Sequence, residues 1–238
     1  MNGAKRLTVL NNNIHSPHCR ACKKRVREIL TATYGECRVN YQFPWPARAE
    51  DYSTTAVVNS LQLICTALAN WRGHRDFVKS ARVPPCDFYV SDPPFILEFD
   101  ESQHFSRARQ ITLEFYPKTL PLGFSPLRWQ DLCREIDARD DKPIDRDERR
   151  AWYDALRDLV PMVYGFQPTV RLYAGDCEWC ALPRGADLFE WIGGRQRYGA
   201  DQQVSPSSEA GPTAGKLVNV PWAKNFGRSV VTVSAGSR

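Results

Sequence analysis

The sequence predicts a mixed α/β fold in which helices flank a central mixed sheet, and three patterns support this. Apolar residues recur at helical spacing in several segments, as in amphipathic helices. Two apolar runs, "CDFYV" and "FILEFD", are separated only by Ser-Asp-Pro-Pro, which predicts a β-hairpin. A further β-like run, "TVRLY", follows the last predicted helix. The predicted order is two helices, a hairpin, two further helices and a strand, which indicates a mixed α/β fold.

Four segments predict helices. The run "KKRVREILTATYG" is apolar on one face and basic on the other, and it ends at Gly35. A long core helix is expected from Tyr52 to Trp71, where apolar residues keep helical intervals. Residues Ser106 to Phe115 predict a third helix, whereas the Pro-rich and Gly-rich run "YPKTLPLGFSPLRW" predicts a loop. The run "DRDERRAWYDALRDLV" predicts the fourth helix, which Pro161 ends.

Composition sets limits on the class of protein. The 238 residues, with 42% hydrophobic and 25% charged side chains, are enough for one sizeable core. A net charge of +5 permits a polyanionic partner without establishing one. There is no run of about 18 apolar residues and no signal-peptide pattern. We therefore expect a cytoplasmic protein without a membrane partner.

Three segments differ in composition. Residues 1–49 contain a Cys-x-x-Cys pair and the basic helix, and residues 50–198 contain the predicted core with a second Cys-x-x-Cys pair. Residues 199–238 are expected to form a linker and a tail, because the stretch from Gly199 to Gly215 is rich in Gly, Ser, Pro, Gln and Ala. The tail from Lys216 is expected either to add an edge strand or to stay mobile.

The two cysteine pairs, Cys19/Cys22 and Cys177/Cys180, have the local spacing of a tetrahedral zinc site. Thiols should stay reduced in the cytoplasm, so metal ligation is a better interpretation than disulfides. One shared structural Zn²⁺ would join a zinc-knuckle-like N-terminal helix to the end of the core. Such a site can contribute about 10–16 kcal/mol of apparent binding energy.

Other interpretations of these cysteines stay open. His15 and His18 precede the first pair and offer a separate zinc site with it. All four thiols could instead be unligated. A weaker hypothesis is a thiol enzyme that uses Cys177 or Cys180 as its nucleophile.

The predicted hairpin brings two acids together. If residues 91–94 form its loop, antiparallel pairing places Asp87 directly opposite Glu98, and Asp100 shares their face. Opposed residues lie about 4.5–5.5 Å apart at Cβ, so the two carboxylates repel unless a proton or a cation lies between them. Mg²⁺ or Mn²⁺ held by Asp87 and Glu98 would remove this repulsion. The alternatives are acids on a solvated face, or a register shifted by one residue.

Gln103 and His104, which follow the predicted strand, are candidates to complete this site. Beside an acidic cluster, His104 would act as a ligand, a proton shuttle or a phosphate contact. A lone histidine is otherwise a surface or packing residue.

These residues resemble the PD-(D/E)xK, or restriction-endonuclease-like, nuclease superfamily. The order of elements and the run containing Glu98, Asp100, Glu101 and His104 look closest to the branch of very-short-patch repair endonucleases. The resemblance implies that Asp87 and Glu98 bind the catalytic metal. It covers roughly residues 50–173.

The chain also departs from the family pattern. Asp100 stands where many members have lysine, and Cys86 separates Pro85 from Asp87. Glu101 replaces the glycine of the related pattern. Glu50 is a candidate for the additional acid of some members, although it would also suit the start of a helix.

Basic residues are candidates for contact with DNA phosphates, or else for ordinary salt bridges on a solvated surface. Four of them follow the first cysteine pair, and two lie in the last predicted helix and strand. They are Lys23, Lys24, Arg25, Arg27, Arg149 and Arg171.

The combined prediction is a metal-dependent DNA endonuclease that acts in restriction, phage defence or repair, as a homodimer or with a partner protein. The alternative is a catalytically inactive, zinc-containing module on the same fold that binds nucleic acid or another partner. The missing lysine favours this alternative.

Overall fold

A computed structural model describes residues 19–188. The chain divides into two compact units, and every element below belongs to the first, Met1–Ala186. The predicted tail, residues 199–238, and the two candidate ligands His15 and His18 lie outside the described residues. Among the described helices, none is both long and apolar enough to cross a membrane.

A mixed four-stranded sheet forms the centre of the described part of this unit. Its strands are β1 Arg38–Tyr41, β2 Cys86–Ser91, β3 Pro94–Asp100 and β4 Val170–Tyr173. They lie in the order β1-β2-β3-β4. The first three strands pair antiparallel, and β4 joins β3 in parallel.

Within residues 19–188, five α-helices flank the sheet. They are α1 Arg20–Tyr34, α2 Val58–Arg72, α3 Arg107–Glu114, α4 Pro126–Ile136 and α5 Arg146–Leu159. Gly35 caps the end of α1, and its φ of 83° suits a residue without Cβ. Ser106 caps the start of α3, where its side chain accepts a hydrogen bond from the Arg109 N–H.

The predicted hairpin register is confirmed. Phe88 pairs with Leu97, Tyr89 with Ile96 and Val90 with Phe95. The loop is shorter than predicted, because Ser91 and Pro94 also pair and leave only Asp92 and Pro93 in the turn.

Other predictions needed correction. β1 was not predicted, and α4 begins within a segment predicted to be a loop, where Ser125 caps it and Pro126 occupies its first turn. The long core helix begins at Val58, because a separate 3₁₀ turn, Ala49–Tyr52, precedes it.

Both faces of β3 are covered. Ile96 packs in the main core with apolar residues of α2 to α5. On the opposite face, Phe95 contacts Tyr34 of α1 and Phe99 contacts Trp179, with ring centroids 5.3 and 5.8 Å apart. The alternative of acids on a solvated face is therefore wrong for β3, whose residues from Phe95 to Asp100 are all buried.

Candidate functional site

Asp87 and Glu98 lie next to each other at the end of the hairpin. Their strands are bridged there by side chains: the Phe99 N–H donates to Asp87 Oδ2 at 2.9 Å, and the Asp87 N–H donates to Glu98 Oε1 at 3.3 Å. Each carboxylate thus accepts a backbone hydrogen bond from the partner strand. The predicted closeness of these two acids is present in the structure.

A lysine reaches this pair from α1. Lys23 Nζ lies 2.9 Å from Asp87 Oδ1 and 3.9 Å from Glu101 Oε1. Burial lowers the pKa of Lys23, but the nearby carboxylates, Asp87 foremost, outweigh it and raise the pKa above the ordinary value. The sequence singled out Lys23 only as a phosphate contact, because nothing local links it to a residue 64 positions away.

The charge of Glu98 is less well compensated than the charge of Asp100, the other acid on β3. Burial raises its pKa to about 7, Arg157 opposes this rise, and the negative charge of Asp87 adds to it. Arg157 Nε lies 3.2 Å from Glu98 Oε2, yet this buried N–H is not aligned for a hydrogen bond with any described group. Glu98 therefore sits beside an arginine without being fully neutralised by it.

Asp100 has a different environment, although it lies on the same face two residues away. Its carboxylate accepts from Arg171 Nη1 and from Trp129 Nε1, both at 2.7 Å. Burial favours the neutral form, but Arg171, followed by His104, outweighs it and lowers the pKa of Asp100. Asp100 is a structural acid in this arrangement, not an exposed part of a pocket.

Asp100 belongs to a buried charge network between the sheet and the helices. Arg171 Nε also donates to Asp158 Oδ1 at 2.7 Å. The second oxygen of Asp158 accepts from Arg109 and from the Tyr116 hydroxyl, both at 2.6 Å. The network consists of Asp100, Arg109, Asp154, Arg157, Asp158 and Arg171.

Sequence reasoning missed most of this network. Asp154, Arg157 and Asp158 share one face of α5 because they are three and four residues apart. That spacing was visible in the sequence. It gave no sign of burial, because a charged helix face is usually exposed.

His104 connects the network to the surface. Its Nδ1 lies 2.9 Å from Asp154 Oδ2 and 3.7 Å from Asp100 Oδ1, and its side chain is 19% exposed. Burial lowers the pKa of His104, but Asp154 outweighs burial and raises it above the ordinary value. Gln103 is the neighbour of His104 in the chain. Its side-chain Nε2 donates to Glu101 Oε2 at 2.6 Å, and its backbone carbonyl accepts from Arg150.

The predicted DNA-contacting residues are not all on one surface. Arg171 is fully buried, so a phosphate contact would require its network to open. Arg149 is paired with Asp145 at 2.6 Å, which is the ordinary salt bridge offered as the alternative. Arg25 lies 3.4 Å from Glu28, whereas Lys24 and Arg27 are exposed on α1.

Glu50 is also exposed, in the 3₁₀ turn before α2. Its place at the start of that turn is the simpler of the two interpretations offered for it.

Three of the four predicted cysteine ligands form a group. The sulfur atoms of Cys19, Cys22 and Cys180 all lie within 4.8 Å of one another, so this group could hold a metal ion such as Zn²⁺. Cys177 is not a member of it. The predicted four-cysteine arrangement is therefore present only as three thiols.

Long-range packing creates this cysteine cluster. Cys19 and Cys22 lie at the first turn of α1, which packs on the 3₁₀ turn Trp179–Ala181. Trp179 fixes that turn, because its buried indole N–H donates to the Tyr173 carbonyl at 3.0 Å. Burial, followed by a hydrogen bond with Cys19, raises the pKa of the Cys22 thiol to about 12. A bound cation would be needed to keep this thiol ionised at neutral pH.

Comparison with protein-family models, with curated proteins and with solved structures finds no match for this chain. The superfamily resemblance therefore stays a prediction.

Proposed function

We propose that this chain is a metal-dependent DNA endonuclease with a restriction-endonuclease-like fold. The observation that carries the proposal is the meeting of Asp87, Glu98 and Lys23 at the end of one hairpin. An aspartate, a glutamate and a lysine are the residue types that the PD-(D/E)xK resemblance implies. Here the lysine comes from α1 and not from the strand, which would account for its absence two residues after Glu98.

The architecture supports the proposal as well. A four-stranded mixed sheet contains the acidic hairpin in its middle, and helices connect β3 to the parallel strand β4. The two acids lie at the end of the hairpin that is opposite its turn. Side chains of α1 and α5 converge on them there.

The donor set fits a hard divalent cation. Asp87 and Glu98 would hold Mg²⁺ or Mn²⁺ through carboxylate oxygens, and an incompletely neutralised, buried Glu98 gains from added positive charge. Such an ion supplies an activated water and neutralises charge on a scissile phosphate.

The remaining groups have separate roles in this proposal. Lys23, 35% exposed at its side chain, would exchange its contact with Asp87 for a phosphate oxygen. His104 is held at Nδ1 by Asp154, so it would give a proton to the leaving oxygen from Nε2. Gln103 and Glu101 border the site and would position the substrate. The biological settings suggested above, and assembly as a homodimer or with a partner, remain predictions.

The test is cleavage of plasmid DNA by the purified full chain with Mg²⁺ or Mn²⁺. We expect Asp87→Asn, Glu98→Gln and Lys23→Met each to lower the cleavage rate about a hundredfold or more. Asp76→Asn is the matched control, because its carboxylate is 89% exposed and pairs only with Lys79 among the described residues. Undiminished cleavage by Asp87→Asn or Glu98→Gln would refute the assignment.

We also propose that the three clustered thiols hold a structural Zn²⁺, with Cys177 moving in as a fourth ligand. Cys177 precedes the same 3₁₀ turn that presents Cys180, and its backbone carbonyl accepts from the Trp179 N–H at 2.9 Å. Zinc in structural sites is almost always four-coordinate. Such a site would join α1, and with it Lys23, to the end of the core.

Zinc content and thermal unfolding test this site. We expect about one ion per chain in the wild type and nearly none in Cys180→Ser, with a large drop in melting temperature. Cys65→Ser is the control, because Cys65 lies on α2 outside the cluster. Full zinc retention by Cys180→Ser would contradict the proposal.

One observation favours the inactive module as the second candidate. Lys23 and Arg157 already lie beside Asp87 and Glu98, so these carboxylates are partly compensated without a metal. This alternative predicts salt-sensitive DNA binding that persists in EDTA, and no cleavage with either cation.

A further inference from the structure

We infer that an aromatic surface beside the outer strands of the sheet binds unpaired bases of single-stranded nucleic acid. Its rings come from β1, from the segment after β1, from β2 and from the turn that follows α5. No step of the proposed cleavage uses them. The aromatic surface consists of Tyr41, Phe43, Trp45, Tyr89, Tyr164 and Phe166.

Three of these rings are parallel. Phe43 and Trp45 have centroids 4.1 Å apart and planes 8° apart, and Trp45 and Tyr164 have centroids 5.2 Å apart and planes 6° apart. Trp45 is only 4% exposed, whereas Tyr164 is 46% exposed. Tyr164 therefore ends the stack at the solvent. A planar, polarisable ring continues such a stack best, and nucleobases stack on exposed aromatic side chains in this way.

The fold holds Tyr164 in place without covering it. Tyr164 is the last residue of a 3₁₀ turn that begins at Pro161. Gly165 follows with a φ of 77°, which glycine adopts readily, and this returns the chain so that Phe166 packs edge-on against Trp45 at 5.3 Å. Pro161 restricts the backbone before the ring, and the packing of Phe166 against Trp45 holds the chain after it, so little conformational entropy is lost when a base stacks.

Basic side chains beside the aromatic surface fit a phosphate backbone. Arg48 and Arg82 are exposed next to the segment of Trp45, and Arg82 is bridged to Pro46. Within residues 19–188, neither guanidinium forms an ion pair. At the other end, the guanidinium of Arg38 lies 5.5 Å from the Tyr41 ring centroid, and its Nε donates to Glu36 Oε1 at 2.8 Å. Rings alone would also suit a proline-rich peptide, but rings beside Arg48 and Arg82, which have no ion pair within the described residues, match a polyanion with planar bases.

This inference deepens the proposed function by naming a class of nucleic acid, and it rests on that proposal only for the nature of the polymer. Its test is fluorescence anisotropy of a short labelled oligodeoxythymidine with the full chain in EDTA, compared with a blunt duplex of equal length. We expect tighter binding to the single strand, and about tenfold weaker single-strand binding by Tyr164→Ala.

Two matched variants separate stacking from other effects. Tyr164→Phe should bind like the wild type, because stacking does not need the hydroxyl group. Leu127→Ala should also bind normally, since Leu127 is 67% exposed on α4 and outside the aromatic surface. Equal single-strand affinity in Tyr164→Ala and the wild type would overturn the inference. Duplex binding as tight as single-strand binding, or capture of a proline-rich peptide without oligonucleotide binding, would also overturn it.

The outcomes distinguish this inference from the nuclease proposal. Single-strand binding that depends on Tyr164, without cleavage in Mg²⁺ or Mn²⁺, would refute the nuclease and support the aromatic surface. Cleavage that needs Asp87, together with single-strand binding that does not depend on Tyr164, would support the nuclease and refute the aromatic surface.

Discussion

Glu98 and Asp100 lie two residues apart on the same face of β3, and both are buried, but they belong to different regions. Asp100 is part of the buried charge network, where its carboxylate accepts from both Arg171 and Trp129. Glu98 lies at the edge with Asp87 and Lys23, where charges are only partly compensated. The pKa of Asp100 is lowered, and the pKa of Glu98 is raised to about 7.

This difference separates structural acids from candidate functional acids. A satisfied, buried network specifies the packing of β3, β4 and α5, and it has little capacity left for a ligand. An acid with a pKa near neutrality beside a partly exposed lysine still gains from a new cation or proton.

The largest effect is expected for Arg171→Met. This change leaves Asp100 and Asp158 buried without their main partner, so the free energy of unfolding should fall by about 3–5 kcal/mol. Urea unfolding at neutral pH measures it. Arg139→Met is the control, because that arginine is 84% exposed, and we expect a change below about 0.5 kcal/mol. A loss under about 1 kcal/mol in Arg171→Met would show that the network is not structurally important.

The second prediction concerns pH and Glu98→Gln in EDTA. The pKa of Glu98 rises from 4.5 to about 7 on folding, so the native state binds this proton more tightly than the unfolded chain does. The contribution of protonated Glu98 to the free energy of unfolding is therefore complete below pH 4.5. It is lost as the pH rises to about 7, and the loss amounts to about 3 kcal/mol. The groups that act on Glu98 are Arg157, Asp87, Arg171 and Asp154.

Glutamine stays neutral at every pH, so the variant should equal the wild type near pH 4.5 and be more stable at pH 8. Subtracting the two curves of unfolding free energy against pH isolates Glu98, because His104 titrates in both proteins. A flat difference curve would mean that Glu98 is as well compensated as Asp100.

The smallest effect is expected for the contact between Lys23 and Asp87. Their side chains are 35% and 22% exposed, so solvent screens the pair. A double-mutant cycle with Lys23→Met and Asp87→Asn should give a coupling energy of about 0.5–1 kcal/mol that decreases with salt. A coupling above about 2 kcal/mol would place this pair with the buried network instead of the edge.

Local patterns predicted much of the fold. The hairpin register followed from side-chain alternation across a short turn, and α1, α3 and α5 followed from helical spacing and end signals. β1 was missed because its alternation of polar and apolar residues covers only four positions, which are mostly exposed. α4 was missed because Pro126 was interpreted as a breaker, although proline is common in the first turn of a helix.

The candidate site divides in the same way. The meeting of Asp87 and Glu98 was predictable from the sequence, because strand pairing has a period of two and depends on neighbouring residues. The compensation of their charges was not predictable, because it comes from long-range packing. Lys23 reaches Asp87 from α1. Arg157 of α5 and Arg171 of β4 act on Glu98 across 59 and 73 residues of chain. Charge compensation depends on distance in space, which no local pattern contains.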